Sequence, residues 1–231
     1  MPPGQIVWMG GKTMKLYKLS VFLVALLLVS TAFIPLVSAA GTNQAMAKVA
    51  EKLQMTKVSD DGKVSEYTAT YKVSDSVTKT YLVKKYNTTV DGRTVVKAEI
   101  YEQNTQEGLT PLSANEVFGK DSYAYYTGSG WAIHIGPVDM GYLNSHGVEG
   151  AGIFGTWLVA VMGLSAGTAA LLAGALYVAV FVFSYFYSNN DGSMDIFISN
   201  ISLALIPIYA ALPGSQPVPI TVKGMTVNLL I

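Results

Sequence analysis

No cysteine occurs anywhere in the chain. Disulfides, thiolate zinc sites, iron–sulfur clusters and cysteine nucleophiles are therefore excluded, and the fold rests on packing alone. Histidine is nearly as scarce, with two copies. Charge is thin: 13% of residues are Asp, Glu, Lys or Arg, against about 25% in an ordinary soluble domain. The charge is also unevenly spread. Between Lys120 and Lys223 there is no Lys or Arg. A nucleic-acid binder needs a basic face, and this chain has none.

What it has in place of charge is one long apolar stretch. Residues 151–187 read AGIFGTWLVAVMGLSAGTAALLAGALYVAVFVFSYFY, and the uncharged run extends from 150 to 190. Such a run needs lipid, a partner or its own chain around it. As one helix it would be about 55 Å long, nearly twice a bilayer core. Gly163, Ser165, Gly167 and Thr168 soften its middle. A break there predicts a short helix over 153–162 and a longer one over 168–187, the second about long enough to span. Small residues at Gly163 and Gly167, and at Ala170 and Gly174, recur every four positions, the spacing that lets helices approach closely. Tyr185 and Tyr187 stand among Phe residues at one end, as in an interfacial aromatic belt.

The chain opens with a leader. Met14 is the expected true start. Lys15 and Lys18 form a positive region, residues 21–36 an apolar one, and Pro35 a break. Ala39 and Ala40 supply a small-residue cleavage site. Residues 1–40 are thus expected to be a leader with a signal peptide, an uncleaved anchor being the alternative. The protein is expected to be exported, to the extracellular space or the outer face of the cytoplasmic membrane.

Residues 41–126 are expected to form an exported β-rich domain. Met46, Val49, Ala50 and Leu53 share one helical face, which predicts a helix over 43–54. Asp61-Gly62 and Asp91-Gly92 are hairpin turns, and Tyr67, Ala69, Tyr71 and Val73 alternate with polar residues. These features predict an antiparallel meander over 55–104, with the helix covering its apolar face. Residues 127–150 are expected to be a linker containing a short strand, Trp131 to Ile135. Residues 188–231 are expected to be a β-prone tail in which Pro207 argues against a helix. The predicted class is α+β: an N-terminal antiparallel β meander with one covering helix, then a glycine-rich apolar helical hairpin, then C-terminal strands.

Few groups suggest chemistry. Gly163-Leu164-Ser165-Ala166-Gly167 matches a hydrolase nucleophile pattern, but no histidine follows it, so it reads as a helix bend. His134 and His146, with Asp139 and Glu149, match no metal-ligand spacing. The two histidines are candidates for a pH-sensitive role beside the apolar stretch. Asn189, Asp191, Gly192 and Asp195 resemble part of a calcium loop, yet Tyr187 and Ile198 stand where its end ligands belong, so they read as a polar turn. Asn87-Thr88-Thr89 and Asn200-Ile201-Ser202 are glycosylation sequons. No enzyme, cofactor or metal is expected.

From Trp131 onward the layout resembles small exported bacteriocin-like precursors. The matching pieces are Trp131 to His134, Leu143-Asn144, the glycine- and alanine-rich stretch, and Asn190-Asp191-Gly192; the resemblance spans residues 131–217. It implies a membrane-active product. The expected function is a membrane-associated, non-enzymatic protein whose helical hairpin inserts into or acts on membranes. The expected partners are membrane lipid and further copies through small-residue helix faces, with no nucleic acid. A surface-anchored binding or structural protein, its β domain outside a transmembrane anchor, is the alternative. Burial of the stretch in a soluble core also fits an all-round apolar helix.

Overall fold

The computed structural model describes residues 53–72, 78–103 and 115–231. The leader, the cleavage residues Ala39 and Ala40, and all of the predicted helix but its last two residues lie outside this set. Those two, Leu53 and Gln54, open a strand.

Ten strands form one antiparallel sheet. They are β1 (Leu53–Asp60), β2 (Val64–Lys72), β3 (Thr78–Val90), β4 (Arg93–Gln103), β5 (Asn115–Phe118), β6 (Tyr123–Tyr126), β7 (Gly130–Ile135), β8 (Met194–Ser199), β9 (Pro217–Val222) and β10 (Met225–Leu230). The helices are α1 (Pro137–Met162), α2 (Ala166–Leu176), α3 (Ser184–Tyr187) and α4 (Asn200–Ala210), with a π turn at Tyr177–Phe181 between α2 and α3. The sheet runs β1-β2-β3-β4-β6-β7-β8-β9-β10, and β5 also pairs with β4.

This overturns the α+β expectation. The molecule is mainly β, and the meander is one end of a sheet that continues through the C-terminal strands. The join is β7 against β8, where His134 faces Asp195 across an intervening helical excursion. The supposed linker contains β7 and the start of α1.

Local chemistry accounts for the hairpins. Asp91 and Gly92 both adopt positive φ, 49° and 74°, the two-residue turn that matches strand twist. Lys223 and Gly224 repeat it at 49° and 76°. At the first turn the Asp61 carboxylate accepts from the Lys63 and Val64 amides at 2.8 and 2.7 Å.

One face of the sheet is apolar. Val83, Ala98, Ile100, Ala124, Ile133, Ile196 and Ile220 are buried on it. Helix α1 lies across this face, touching β3 to β7 and β1. Helix α2 touches both edge strands, β1 and β10. The sheet is therefore rolled around α1, and α2 fills the gap between its edges. Residues 150–158 are buried without interruption, which is why that half of α1 is apolar all round. Phe118, Phe154, Trp157 and Phe181 form its aromatic centre, with ring centroids 5.2 to 6.1 Å apart.

Two helical expectations change. The spanning helix over 168–187 does not form: α2 stops at Leu176, and the Val182 amide reaches back five residues to Tyr177 in the π turn. Val178, Val180 and Val182, set among aromatics, are weak helix formers. Conversely, α4 forms despite Pro207. Ser199 caps it, accepting from the Ser202 amide at 3.0 Å, and Ser202 and Ile206 are buried beneath it. These contacts outweigh the single hydrogen bond proline removes.

Candidate functional site

The small-residue positions do not act together. Gly163 ends α1 in the left-handed conformation, φ 70°, and its amide returns to the Val159 carbonyl. Ala170 is buried at the α1–α2 contact. The residue opposite it is Gly155, which the sequence reading passed over: a Cβ there would lie 3.5 to 3.7 Å from Ala173, Ala169 and Ala170. A Cβ on Gly167 would meet only open space, and Gly174 is half-buried. The Gly163–Gly167 pattern is thus a helix stop and a half-buried first turn.

The aromatic end behaves differently. Tyr185 is 91% exposed and Phe186 68%. Val182 and Phe183, just before them, are also exposed, while Tyr187 is half-buried. A second apolar surface lies on α4. Ile201, Ala204 and Ile208 fall at i, i+3 and i+7 and are exposed, Ile201 at 73%, and Leu212 is exposed just past the helix end. Ser202 and Ile206, on the other side, are buried. The helix is therefore apolar on both faces. No charged residue occurs from 196 to 222. Among the described residues no helix is long and apolar enough to cross a membrane.

A polar tie holds α1 to the sheet. Gly136 cannot cap the helix, and Asp121 takes that role from a distance, accepting from the Val138 and Asp139 amides at 2.9 and 3.2 Å. Asp139 reaches the other way, accepting from the Gly119 amide at 3.0 Å and the Ser122 hydroxyl at 2.6 Å. Asp139 is 1% exposed. Burial pushes its carboxyl up to about 6. The Ser122 bond opposes that shift, and the neighbouring Asp121 adds to it. The Pro137 and Asp139 pattern is a helix-start signal and marks the true beginning of α1.

The two histidines lie on opposite sides of the sheet. His146 is on α1, exposed, stacked on Tyr142 at 3.9 Å between centroids. His134 is on the open face, stacked on Tyr123 at 4.8 Å. Its Nδ1 is 2.8 Å from Asp195 Oδ1, and the other oxygen of Asp195 accepts from Asn189 at 2.8 Å. Asp191 accepts from the Ser193 amide and hydroxyl, so residues 189–193 form a polar turn. His134, Tyr123 and Asp195 border an open cavity of about 350 Å³ with Arg93, Tyr125, Phe197, Thr221 and Lys223. Its walls hold no serine or cysteine, so the His–Asp pair has no companion nucleophile of either kind. No set of three or more metal-ligating side chains is gathered among the described residues.

No protein-family model, curated protein or solved structure matches the chain. The functional reading therefore rests on these surfaces.

Proposed function

We propose that this is an exported, non-enzymatic protein that rests on a membrane surface through the exposed edge of its helical layer, α3 and the outer face of α4. The supporting observation is the doubly apolar α4. A helix hydrophobic all round belongs in an apolar setting on both sides, and only one side of α4 has the protein core. The outer side carries Ile201 and Ile208, and Leu212 is exposed just past the helix end. The absence of charge from 196 to 222 favours lipid over a protein partner chosen through ion pairs. Tyr185 and Phe186 are residue types suited to an interface.

The magnitude fits reversible binding. Each large side chain gains on the order of 1 kcal/mol on partial transfer out of water, so the set supplies roughly 5 kcal/mol. That is about the strength of a single myristoyl chain. Contact through this edge leaves the fold intact. Contact through the α1–α2 hairpin would require removing α1 from the rolled sheet, with the loss of its aromatic core. The signal-like leader supports delivery to the outer membrane face, and the polar open face of the sheet would then remain in water.

Flotation with neutral phosphatidylcholine vesicles tests the reading. The exported protein is expected to rise with the vesicles, and Ile208→Glu to stay behind. A native protein that stays behind would refute lipid binding. A native protein that dimerises without lipid, through a contact that Ile208→Glu breaks, would make this edge a self-association surface instead.

A further inference from the structure

The open-face cavity has two cationic side chains, Arg93 and Lys223, and one carboxylate, Asp195. Its one carboxylate is engaged at both oxygens: Asp195 pairs with His134 through one and accepts from Asn189 at the other. Its donors are largely free. The Arg93 guanidinium lies over the Tyr125 ring at 4.3 Å and makes no hydrogen bond or ion pair among the described residues. Lys223 gives one bond, to the Ser188 carbonyl at 2.6 Å, and an ammonium carries three donors. Because His134 engages Asp195 through Nδ1, its Nε2 is the uncommitted ring nitrogen, an acceptor for a ligand hydroxyl while the imidazole is neutral. Thr221 adds a hydroxyl to the wall and Phe197 an apolar surface.

We infer that this cavity binds a small organic ligand bearing an oxyanion, a carboxylate or a phosphate, held by Arg93 and Lys223 with His134 as a further polar contact. Two cationic side chains beside a carboxylate already engaged at both oxygens call for a ligand rich in acceptors. Stacking on Tyr125 restricts the guanidinium, which lowers the entropy lost when it pairs with an anion. The Asp195 bond likewise fixes the orientation of the imidazole. At about 350 Å³ the space exceeds a bare ion and sits at the small end of ligand pockets, and Phe197 offers a surface for the ligand body. This inference does not rest on the membrane contact, which uses residues of α3 and α4 that do not line the cavity.

The test is an amide chemical-shift titration of the full exported chain with sodium phosphate, with citrate, and with sodium chloride at matched ionic strength. Saturable shifts in β7, β8 and the β9–β10 turn are expected with at least one of the two oxyanions and not with chloride. Phosphate alone points to a phosphate-bearing ligand, citrate alone to a carboxylate-bearing one, and both to oxyanion recognition without that preference. Arg93→Gln and Lys223→Asn are each expected to weaken binding about tenfold, the loss typical of a charge-assisted hydrogen bond. Asparagine is chosen at 223 because it tolerates the positive φ of that turn. No saturable shift with either oxyanion would overturn the inference. So would equal shifts with chloride, or unchanged affinity in both variants.

Discussion

Replacing Asp139 with asparagine is expected to remove a pH dependence from the stability of this protein. The carboxyl is buried beneath the start of α1 and held at about 6 in the fold, against an ordinary value of 3.8. Because the folded value is raised, the folded state binds the proton more tightly than the unfolded chain between these limits. The resulting stability is fully present below about pH 3.8 and is lost as pH rises through about 6. At 1.36 kcal/mol per unit, the loss approaches about 3 kcal/mol. Asparagine carries no charge and keeps one oxygen to accept from the Gly119 amide. It forfeits the bond from the Ser122 hydroxyl, a cost of about 1 kcal/mol. At pH 7 the variant is therefore expected to be more stable by about 1–2 kcal/mol, and at pH 4 less stable. Urea unfolding followed by tryptophan fluorescence from pH 4 to 8 measures this. Asp60, Asp61 and Asp191, all held below the usual carboxylate range by hydrogen bonds, contribute the opposite slope to both proteins and cancel in the difference. Parallel stability curves across pH 4–7 would refute the reasoning.

Two glycines of α1 should respond in opposite ways. A Cβ at Gly155 fits at ordinary contact distance, so Gly155→Ala is expected to be neutral or stabilising by up to about 1 kcal/mol. A Cβ at Gly152 would lie 2.9 Å from the buried Tyr71 ring, so Gly152→Ala is expected to cost about 1–3 kcal/mol; unfolding midpoints of the two variants decide. Ser199→Ala should remove the α4 cap and cost about 1 kcal/mol, with the earliest loss of amide-exchange protection in the first turn of α4.

The parts of this fold legible in the sequence are those written locally. Asp61-Gly62, Asp91-Gly92 and Lys223-Gly224 announce turns because their backbone demands are met within two residues. β7 and β8 are visible from the alternation at Trp131 to Ile135 and Met194 to Ile198. What the sequence leaves hidden depends on distant partners. β5 and β6 are four residues each and become strands only by pairing, β5 with β4 and β6 with β7 and β4. The continuity of the sheet depends on His134 meeting Asp195, which no local pattern encodes. The cap on α1 is likewise remote, since Asp121 precedes the helix by a whole hairpin. The long apolar stretch reads equally as a membrane helix or a core helix, because each environment asks only for the absence of charge. Of the candidate site, His134 was legible as a rare residue, whereas Arg93 and Lys223 come beside it only through strand order.

The membrane contact is tested most directly by a single fluorescent label, and the lack of native cysteine makes the labelling unambiguous. Ile208→Cys carrying an environment-sensitive dye reports on the outer face of α4, and Thr68→Cys on the open face of β2. On addition of phosphatidylcholine vesicles to the protein, the dye at 208 should shift to the blue and brighten while the dye at 68 stays unchanged. An unchanged spectrum at 208, or equal shifts at both positions, would contradict the account.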